Sequence, residues 1–226
     1  MTVLSGLELV VDVDAVLAGQ GCNPAVVRAR GGPIVEAAER ALALGGTLVS
    51  AAVATSRLAV TGLAFDRVDL ERGSVGGRLP RKVLAHAGAL VVGVATVGRA
   101  LEDRVSALLS PDPLSALALD GYGNAALSAL ARLVCDRIGS EAESRSWRAT
   151  PPISPGLGGW PLDSGQRDLF ALVDAGSIGV SLTPLSLMRP RKSLSFMVGM
   201  GPGVEAGGQT CDWCGMRERC RFRGHE

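Results

Sequence analysis

The 226-residue chain carries 23 basic and 22 acidic residues, and the resulting net charge of +1 gives no general attraction to nucleic acid or an anionic membrane. Hydrophobic residues make up 47% of the chain and aromatic residues only 4%, so we expect a sizeable core of Leu, Val and Ala. The N-terminal stretch contains Glu8, Asp12 and Asp14 and lacks the basic start of a signal peptide, and the longest apolar run, residues 84–97, is too short to span a bilayer. These features predict a globular cytoplasmic protein.

Apolar periodicity divides the chain into predicted elements. Residues 7–17 change from alternation to a short helical pattern, in which Asp12 and Asp14 are candidate caps or ligands. Residues 33–43 place apolar side chains at helical intervals, and Gly45 and Gly46 predict the end of that helix. The other predicted elements are β-rich segments over 47–97, a helix over 99–110, a long helix over 114–143 and an alternating strand over 193–201.

Two sequence features have both structural and functional interpretations. Gly121 and Gly123 in the long helix predict either close packing or a kink. Arg189, Arg191 and Lys192 surround a proline in a basic turn, which is either a solvated loop or a contact for a phosphate or carboxylate.

A glycine-rich loop lies between the long helix and the last strand. Glycines that are free to adopt positive φ alternate with rigid prolines at Pro155, Gly156, Gly158, Gly159 and Pro161, so backbone N–H groups could approach a ligand closely. Asp163 and Gln166 then predict an N-cap with a capping box. The loop has no thiol, imidazole or carboxylate, so a ligand bound there must bring its own reactivity. On these residues alone, an ordinary connection is favoured over a ligand site.

Three of the five cysteines follow a Gly-rich segment that is typical of a flexible linker. Cys211 and Cys214 have the spacing of metal ligands, and Cys220 with His225 or Cys22 would complete a set for tetrahedral zinc or an iron-sulfur cluster. Redox-active thiols, whose pKa values neighbouring arginines would lower, are a second interpretation, and free cysteines in a disordered tail are a third. The odd number of cysteines favours a reducing compartment.

Two long segments match motifs of one known family. SPGLGGWPLDSGQRDLFALVDAGSIGVSLT, residues 154–183, is similar to an SPGYGDxPL loop followed by a helix and an IGxxLT strand, and MRPRKSLSFMVGMG, residues 188–201, is similar to an MxPxKSVxxxxGI segment. In order and spacing these segments resemble the activation domain of cobalamin-dependent methionine synthase in its stand-alone bacterial form. The cysteine tail, Asp12, the VATVG junction and the LDGYGNAAL helix start add weaker similarities, so the resemblance covers nearly the whole chain.

The resemblance implies an α+β fold. Residues 1–200 would form a single domain with a curved, largely antiparallel mixed sheet and long helices, and residues 201–226 a Gly-rich linker and Cys-rich tail. The implied function is reductive reactivation of a corrinoid (vitamin B12)-dependent methyltransferase in methionine biosynthesis, by methylation of cob(II)alamin with S-adenosylmethionine (AdoMet). The cobalamin would be held by a partner, either a corrinoid-binding protein or methionine synthase, and a flavodoxin or ferredoxin-like protein would supply the electron.

The resemblance also implies roles for individual residues. Asp12 would suit the cationic part of AdoMet, and Thr183 and Met188 would lie near the corrinoid face. The loop that contacts AdoMet comprises Ser154, Pro155, Gly156, Leu157, Gly158, Gly159 and Trp160.

The chain departs from the family pattern at three positions. Pro152 replaces an arginine suited to the ligand carboxylate, Leu157 replaces the loop tyrosine, and Pro184 replaces an acid. These changes favour an alternative function, in which the protein is a non-catalytic adaptor or metal-bearing electron carrier for a corrinoid protein. An ordinary AdoMet methyltransferase is less favoured, because the chain lacks a GxGxxG turn in an early βαβ unit.

Overall fold

The computed structural model describes residues 1–205 and 208–220. Helices and strands are mixed along the chain, as is typical of an α+β protein. The helices are α1 (Val13–Gly19), α2 (Pro24–Arg30), α3 (Pro33–Leu48), α4 (Arg78–Val83), α5 (Ala100–Leu108), α6 (Pro113–Ser144) and α7 (Leu162–Leu172). The strands are β1 (Thr2–Ser5), β2 (Ala52–Leu63), β3 (Arg67–Leu70), β4 (Ser74–Gly76), β5 (Ala89–Thr96), β6 (Arg148–Ala149), β7 (Ser181–Leu182), β8 (Met188–Arg189) and β9 (Ser193–Gly201).

One sheet runs in the order β4-β3-β2-β5-β9-β6, with β1 also paired to β2, while β7 and β8 form a separate hairpin. Every pairing between these strands is antiparallel. The centre of the sheet is β5, which pairs with β2 from Ala59↔Ala89 to Ala52↔Thr96 and with β9 from Ala89↔Met200 to Thr96↔Ser193. The expected α+β fold with a largely antiparallel sheet is therefore confirmed.

The central strand is buried on both faces, which explains its uninterrupted apolar sequence. Val91 and Ala95 point to a core shared with α1, α3, α5 and α6, whereas Val92 and Val94 point to a second core shared with α4 and α7. This alternation is the period of two that a strand imposes. The sheet thus separates a helical layer from a second layer, and the glycine-rich loop belongs to the second layer.

The helical layer is held together where small residues let backbones approach. Gly19 of α1 lies against Gly121 of α6 so closely that a Cβ on either glycine would overlap the opposite backbone. Likewise, Gly45 of α3 lies directly against the ring of Tyr122. Close packing at Gly121 is therefore confirmed.

The prediction that the third helix ends at Gly45 was wrong, because α3 continues to Leu48. A glycine normally weakens a helix interior, but at position 45 any larger residue would overlap the Tyr122 ring. The sequence also did not predict α4. No helix among the described residues is long and apolar enough to cross a membrane.

Candidate ligand-binding site

The glycine-rich loop adopts a compact conformation that only glycine accepts easily. Gly156, Gly158 and Gly159 have φ values of 98°, 48° and 80°, as the sequence predicted for positions needing positive φ. The loop is closed by three internal hydrogen bonds in which Leu157 N donates to the Ser154 carbonyl at 3.2 Å, Trp160 N to the Leu157 carbonyl at 2.7 Å, and Gly156 N to the Trp160 carbonyl at 2.8 Å.

Two buried side chains of the loop, those of Trp160 and Pro155, hold it in place. Trp160 is 1% exposed and packs with Ile153, which pairs with Met197 of β9 at the start of the loop. Pro155 is also buried, whereas Gly156, Gly158 and Gly159 are exposed. The loop therefore presents its glycine backbone to solvent from a fixed base.

The exposed part of the loop has open hydrogen-bonding capacity. Among the described residues, the N–H groups of Gly158 and Gly159 have no protein partner. Two buried polar atoms nearby, Trp160 Nε1 and Gln166 Oε1, also lack partners in the described part of the chain. The backbone N–H groups suit an acceptor on a ligand, which is the kind of contact that the sequence predicted for this loop.

The helix after the loop begins differently from the sequence prediction. We expected Asp163 to be the N-cap with Gln166 in a capping box, but α7 begins at Leu162, with Pro161 as its N-cap residue and no side-chain cap. Asp163 lies in the first turn, where its carboxylate accepts from Ser164 N at 2.7 Å and contacts Arg167 at 2.7 Å. A carboxylate in this turn still stabilises the positive end of the helix dipole.

Thr183 and Met188 lie in the short hairpin formed by β7 and β8. Thr183 N donates to the Leu187 carbonyl at 2.8 Å, and Leu187 N donates to the Thr183 hydroxyl at 3.1 Å. The Ser186 hydroxyl donates to the Asp163 carbonyl at 3.4 Å, which ties the hairpin to the start of α7. The hairpin therefore lies beside the exit of the loop.

Loop and hairpin also share one apolar cluster. Leu157 and Met188 both pack against the second core, on which Trp160 lies. The predicted loop residues and the hairpin residues are thus brought into one region of the second layer.

Asp12 lies at the start of α1. Its carboxylate caps α1 by accepting from Ala15 N at 2.7 Å, and α1 belongs to the helical layer. No hydrogen bond or ion pair of the described structure joins Asp12 to the loop. The capping role predicted for this residue is confirmed, and its role toward a ligand stays a prediction.

The predicted metal ligands are not assembled by the described residues. No group of three or more His, Cys, Asp or Glu residues in the described part of the chain could hold a metal ion. Cys22 packs against the helical-layer core, on the opposite face of the sheet from the tail, so it does not join Cys211 and Cys214. His225 lies outside the described residues, and a metal site in the tail therefore stays a prediction.

Two features of the structure were not foreseen. The tail residue Thr210 contacts Pro152 just before the loop, and Trp213 contacts Gly158 within it, although the sequence indicated only a linker and cysteines. Lys192, assigned to a basic turn, reaches α6, where its Nζ lies 2.8 Å from Asp120 Oδ1 and 2.6 Å from Asn124 Oδ1. The RPRKS segment contains Lys192, and the LDGYGNAAL segment contains Asp120 and Asn124. Both segments are similar to the same family, and this similarity was the only sequence feature that connected them.

No family model matches the chain, and no curated protein matches it. A solved structure does match, and it defines a fold class: the chain has the α+β fold of a methionine synthase reactivation domain. The matching structure is the crystal structure of the MetH reactivation domain bound to AdoHcy, with a TM-score of 0.60 over 92% of this chain and 79% of that chain. Sequence identity is 10%, so the match establishes the fold, as the resemblance predicted.

Proposed function

We propose that the protein binds AdoMet at the loop from Ser154 to Trp160 and acts in reactivation of a corrinoid-dependent methyltransferase. The observation that carries this proposal is the fold match to a reactivation domain bound to AdoHcy, the demethylated form of AdoMet. The structure of the loop supports it, since the open N–H groups of Gly158 and Gly159 suit the acceptor groups of such a ligand.

The role of the protein would be positioning. AdoMet carries an activated methyl group on its sulfonium, and a reduced corrinoid on a partner is the nucleophile that accepts it, with AdoHcy as the second product. The loop contains no acid, base or nucleophile, which is consistent with holding the methyl donor in line with an acceptor. The electron that reduces the corrinoid would come from a flavodoxin or ferredoxin-like partner.

The affinity for AdoMet is expected to be modest. Pro152 cannot supply the cation, and Pro184 cannot supply the acid, that the family pattern places beside the loop. Each missing charge-assisted hydrogen bond is worth about 1.5–3 kcal/mol. Binding in the micromolar to millimolar range would therefore be in keeping with the sequence.

A surface beside the loop would suit a large apolar partner. Leu162 at the start of α7 is 42% exposed, and Leu185 and Leu187 of the hairpin are 79% and 53% exposed. The hydrogen bond from Ser186 to Asp163 holds these two segments together. Exposed leucines grouped beside a ligand loop are typical of a protein contact, and we assign this surface to the corrinoid-carrying partner.

Calorimetric titration of AdoMet and AdoHcy tests the binding step. Gly156→Arg should abolish binding, because it places a long side chain in the exposed loop at a φ of 98°. Gly21→Arg is the matched control, since Gly21 has a φ of 79° and open space around it but lies next to α1 in the helical layer. Loss of binding in both variants would indicate general destabilisation and not a loop site.

The second step needs the partner and a reductant. The purified protein is combined with a cob(II)alamin-carrying methyltransferase, reduced flavodoxin and methyl-labelled AdoMet, and label on the corrinoid is counted. We expect labelling that depends on this protein and disappears with Gly156→Arg. Binding of AdoMet without any labelling would leave a binding protein and refute the reactivation activity.

The alternative is an adaptor or metal-bearing electron carrier that keeps the fold without methyl transfer. One observation favours it. Where the family pattern has an arginine, this chain has Pro152, and the Pro152 carbonyl accepts a hydrogen bond from Thr210 of the tail. No heat of AdoMet binding up to millimolar ligand, together with co-purification of a corrinoid protein, would support the adaptor. Iron or zinc in anaerobically purified protein, lost in Cys214→Ser, would support the electron carrier.

A further inference from the structure

The C-terminal tail returns to the glycine-rich loop as a short 3-10 helix, Thr210–Trp213. The Thr210 hydroxyl donates to the carbonyl of Pro152, just before the loop, at 2.8 Å. Within the loop, the Trp213 carbonyl lies where a Cβ on Gly158 would be only 3.0 Å away. The helix therefore contacts both the residue that leads into the loop and the middle of the loop.

The helix is held in this place by apolar and charged groups of the domain. Trp213 packs against the second core, and the ammonium of Lys82 lies 4.8 Å from the centre of its indole ring. A lysine at this distance from a tryptophan face makes a favourable cation–π contact. Arg217 also lies 3.2 Å from Asp212, within the same segment.

These contacts matter because a loop with three glycines is costly to order. Three exposed glycines lose more conformational entropy on ordering than other residues would. Fixing the loop at Pro152 and Gly158 before a ligand arrives lowers the ordering cost of binding. The contact of Thr210 with the Pro152 carbonyl uses a backbone group that belongs to no helix or strand.

We propose that Thr210–Trp213 is a clamp that holds the glycine-rich loop in its ligand-binding conformation. Thr210 and Trp213 are positioning residues in this proposal, since they act through the loop backbone. The expected effect of the clamp on AdoMet affinity rests on the proposed function, whereas its expected effect on hydrogen exchange of the loop does not. The two parts can therefore be tested separately.

Hydrogen exchange of the ligand-free protein tests the clamp. Thr210→Val removes the hydroxyl at nearly constant shape, and we expect amides of peptide 154–160 to exchange about two- to tenfold faster, the effect of one lost hydrogen bond. Thr47→Val is the matched control, because the Thr47 hydroxyl also donates to a backbone carbonyl, that of Leu44 at 2.7 Å, on α3 in the other layer. Thr210→Ser keeps a hydroxyl and should restore slow exchange.

Equal exchange of the loop in Thr210→Val and wild type would overturn the clamp. Faster exchange over the whole chain, matched in Thr47→Val, would also overturn it, because the change would then be general destabilisation. Trp213→Leu gives a second test by the same measurement. Trp147→Leu is its control, since Trp147 is partly buried against the helical-layer core.

Titration with AdoMet then tests the effect on binding. A clamp predicts that Thr210→Val weakens the affinity by about two- to tenfold, while Thr47→Val and Thr210→Ser bind like the wild type. Tighter binding by Thr210→Val would mean that the tail covers the site, which contradicts the proposal. If the wild type binds no AdoMet, the proposed function fails, and the exchange measurement alone decides on the clamp.

Discussion

The indole of Trp160 lies directly against Gly165, so that a Cβ on this glycine would stand 2.6 Å from Trp160 Nε1 and 2.9 Å from Pro155 Cβ. The loop thus folds back on the first turns of the helix that follows it. Gly165 is buried within α7, where a glycine has no advantage for the helix itself. Its value is the room that it gives to the two side chains that hold the loop.

Gly165→Ala should therefore destabilise the protein although alanine is the better helix former. We expect a loss of about 1–3 kcal/mol in the free energy of unfolding, the usual cost of overpacking, measured by urea denaturation. Gly139→Ala in α6 is the control, because no atom lies within 4 Å of its Cβ position, and it should gain about 0.5–1 kcal/mol. A gain in both variants would show that Trp160 moves aside freely.

The sequence predicted the sheet and the long helices well, because each of these elements keeps one kind of composition over many residues. The central strand is apolar along its whole length, α6 is a long segment rich in small residues, and the loop glycines have the positive φ values expected of them. The α7 start was predicted two residues late, since Asp163 has the composition of a cap while the rigid Pro161 occupies that position. Local composition cannot distinguish a cap from a first-turn carboxylate.

The tail contact could not have been predicted in the same way. Thr210 donates a hydrogen bond to the Pro152 carbonyl across a sequence separation of 58 residues. Trp213 contacts Gly158 across more than fifty residues of sequence. A threonine and a tryptophan beside cysteines carry no periodic signal. Only the folded chain places Thr210 beside Pro152 and Trp213 beside Gly158.

Two adjacent glycines in α3 give a second stability prediction. Gly45 lies against the Tyr122 ring, whereas the nearest atom to a Cβ on Gly46 is the Tyr122 hydroxyl oxygen at 3.8 Å. Gly45→Ala should lose about 1–3 kcal/mol by overpacking, while Gly46→Ala should gain up to about 1 kcal/mol. Thermal unfolding of both variants measures the difference, and equal melting temperatures would contradict close packing of α3 on α6.

Lys192 joins the start of β9 to α6 and should contribute more than a surface ion pair. Its side chain is 15% exposed, whereas the exposed pair of Arg167 and Asp163 is 65% and 63% exposed. We expect Lys192→Met to cost about 1–2 kcal/mol in urea denaturation, after allowing for the partial exposure of Asp120. Arg167→Met should cost under about 1 kcal/mol, and equal losses would mean that the Lys192 contact is solvated.

Burial raises the pKa of the Cys135 thiol to about 11, and the nearby Asp136 carboxylate adds to this shift. Because the unfolded thiol ionises near pH 9.0, the unfolded state binds fewer protons above that pH, so stability is complete below it and falls as the pH rises toward 11. We expect about 2 kcal/mol of unfolding free energy to be lost between pH 9.0 and about 11 through this group. The measurement is the difference between the wild type and Cys135→Ala in urea denaturation at several pH values, which cancels the titration of other groups. A difference that stays constant with pH would show that the thiol ionises as easily in the fold as outside it.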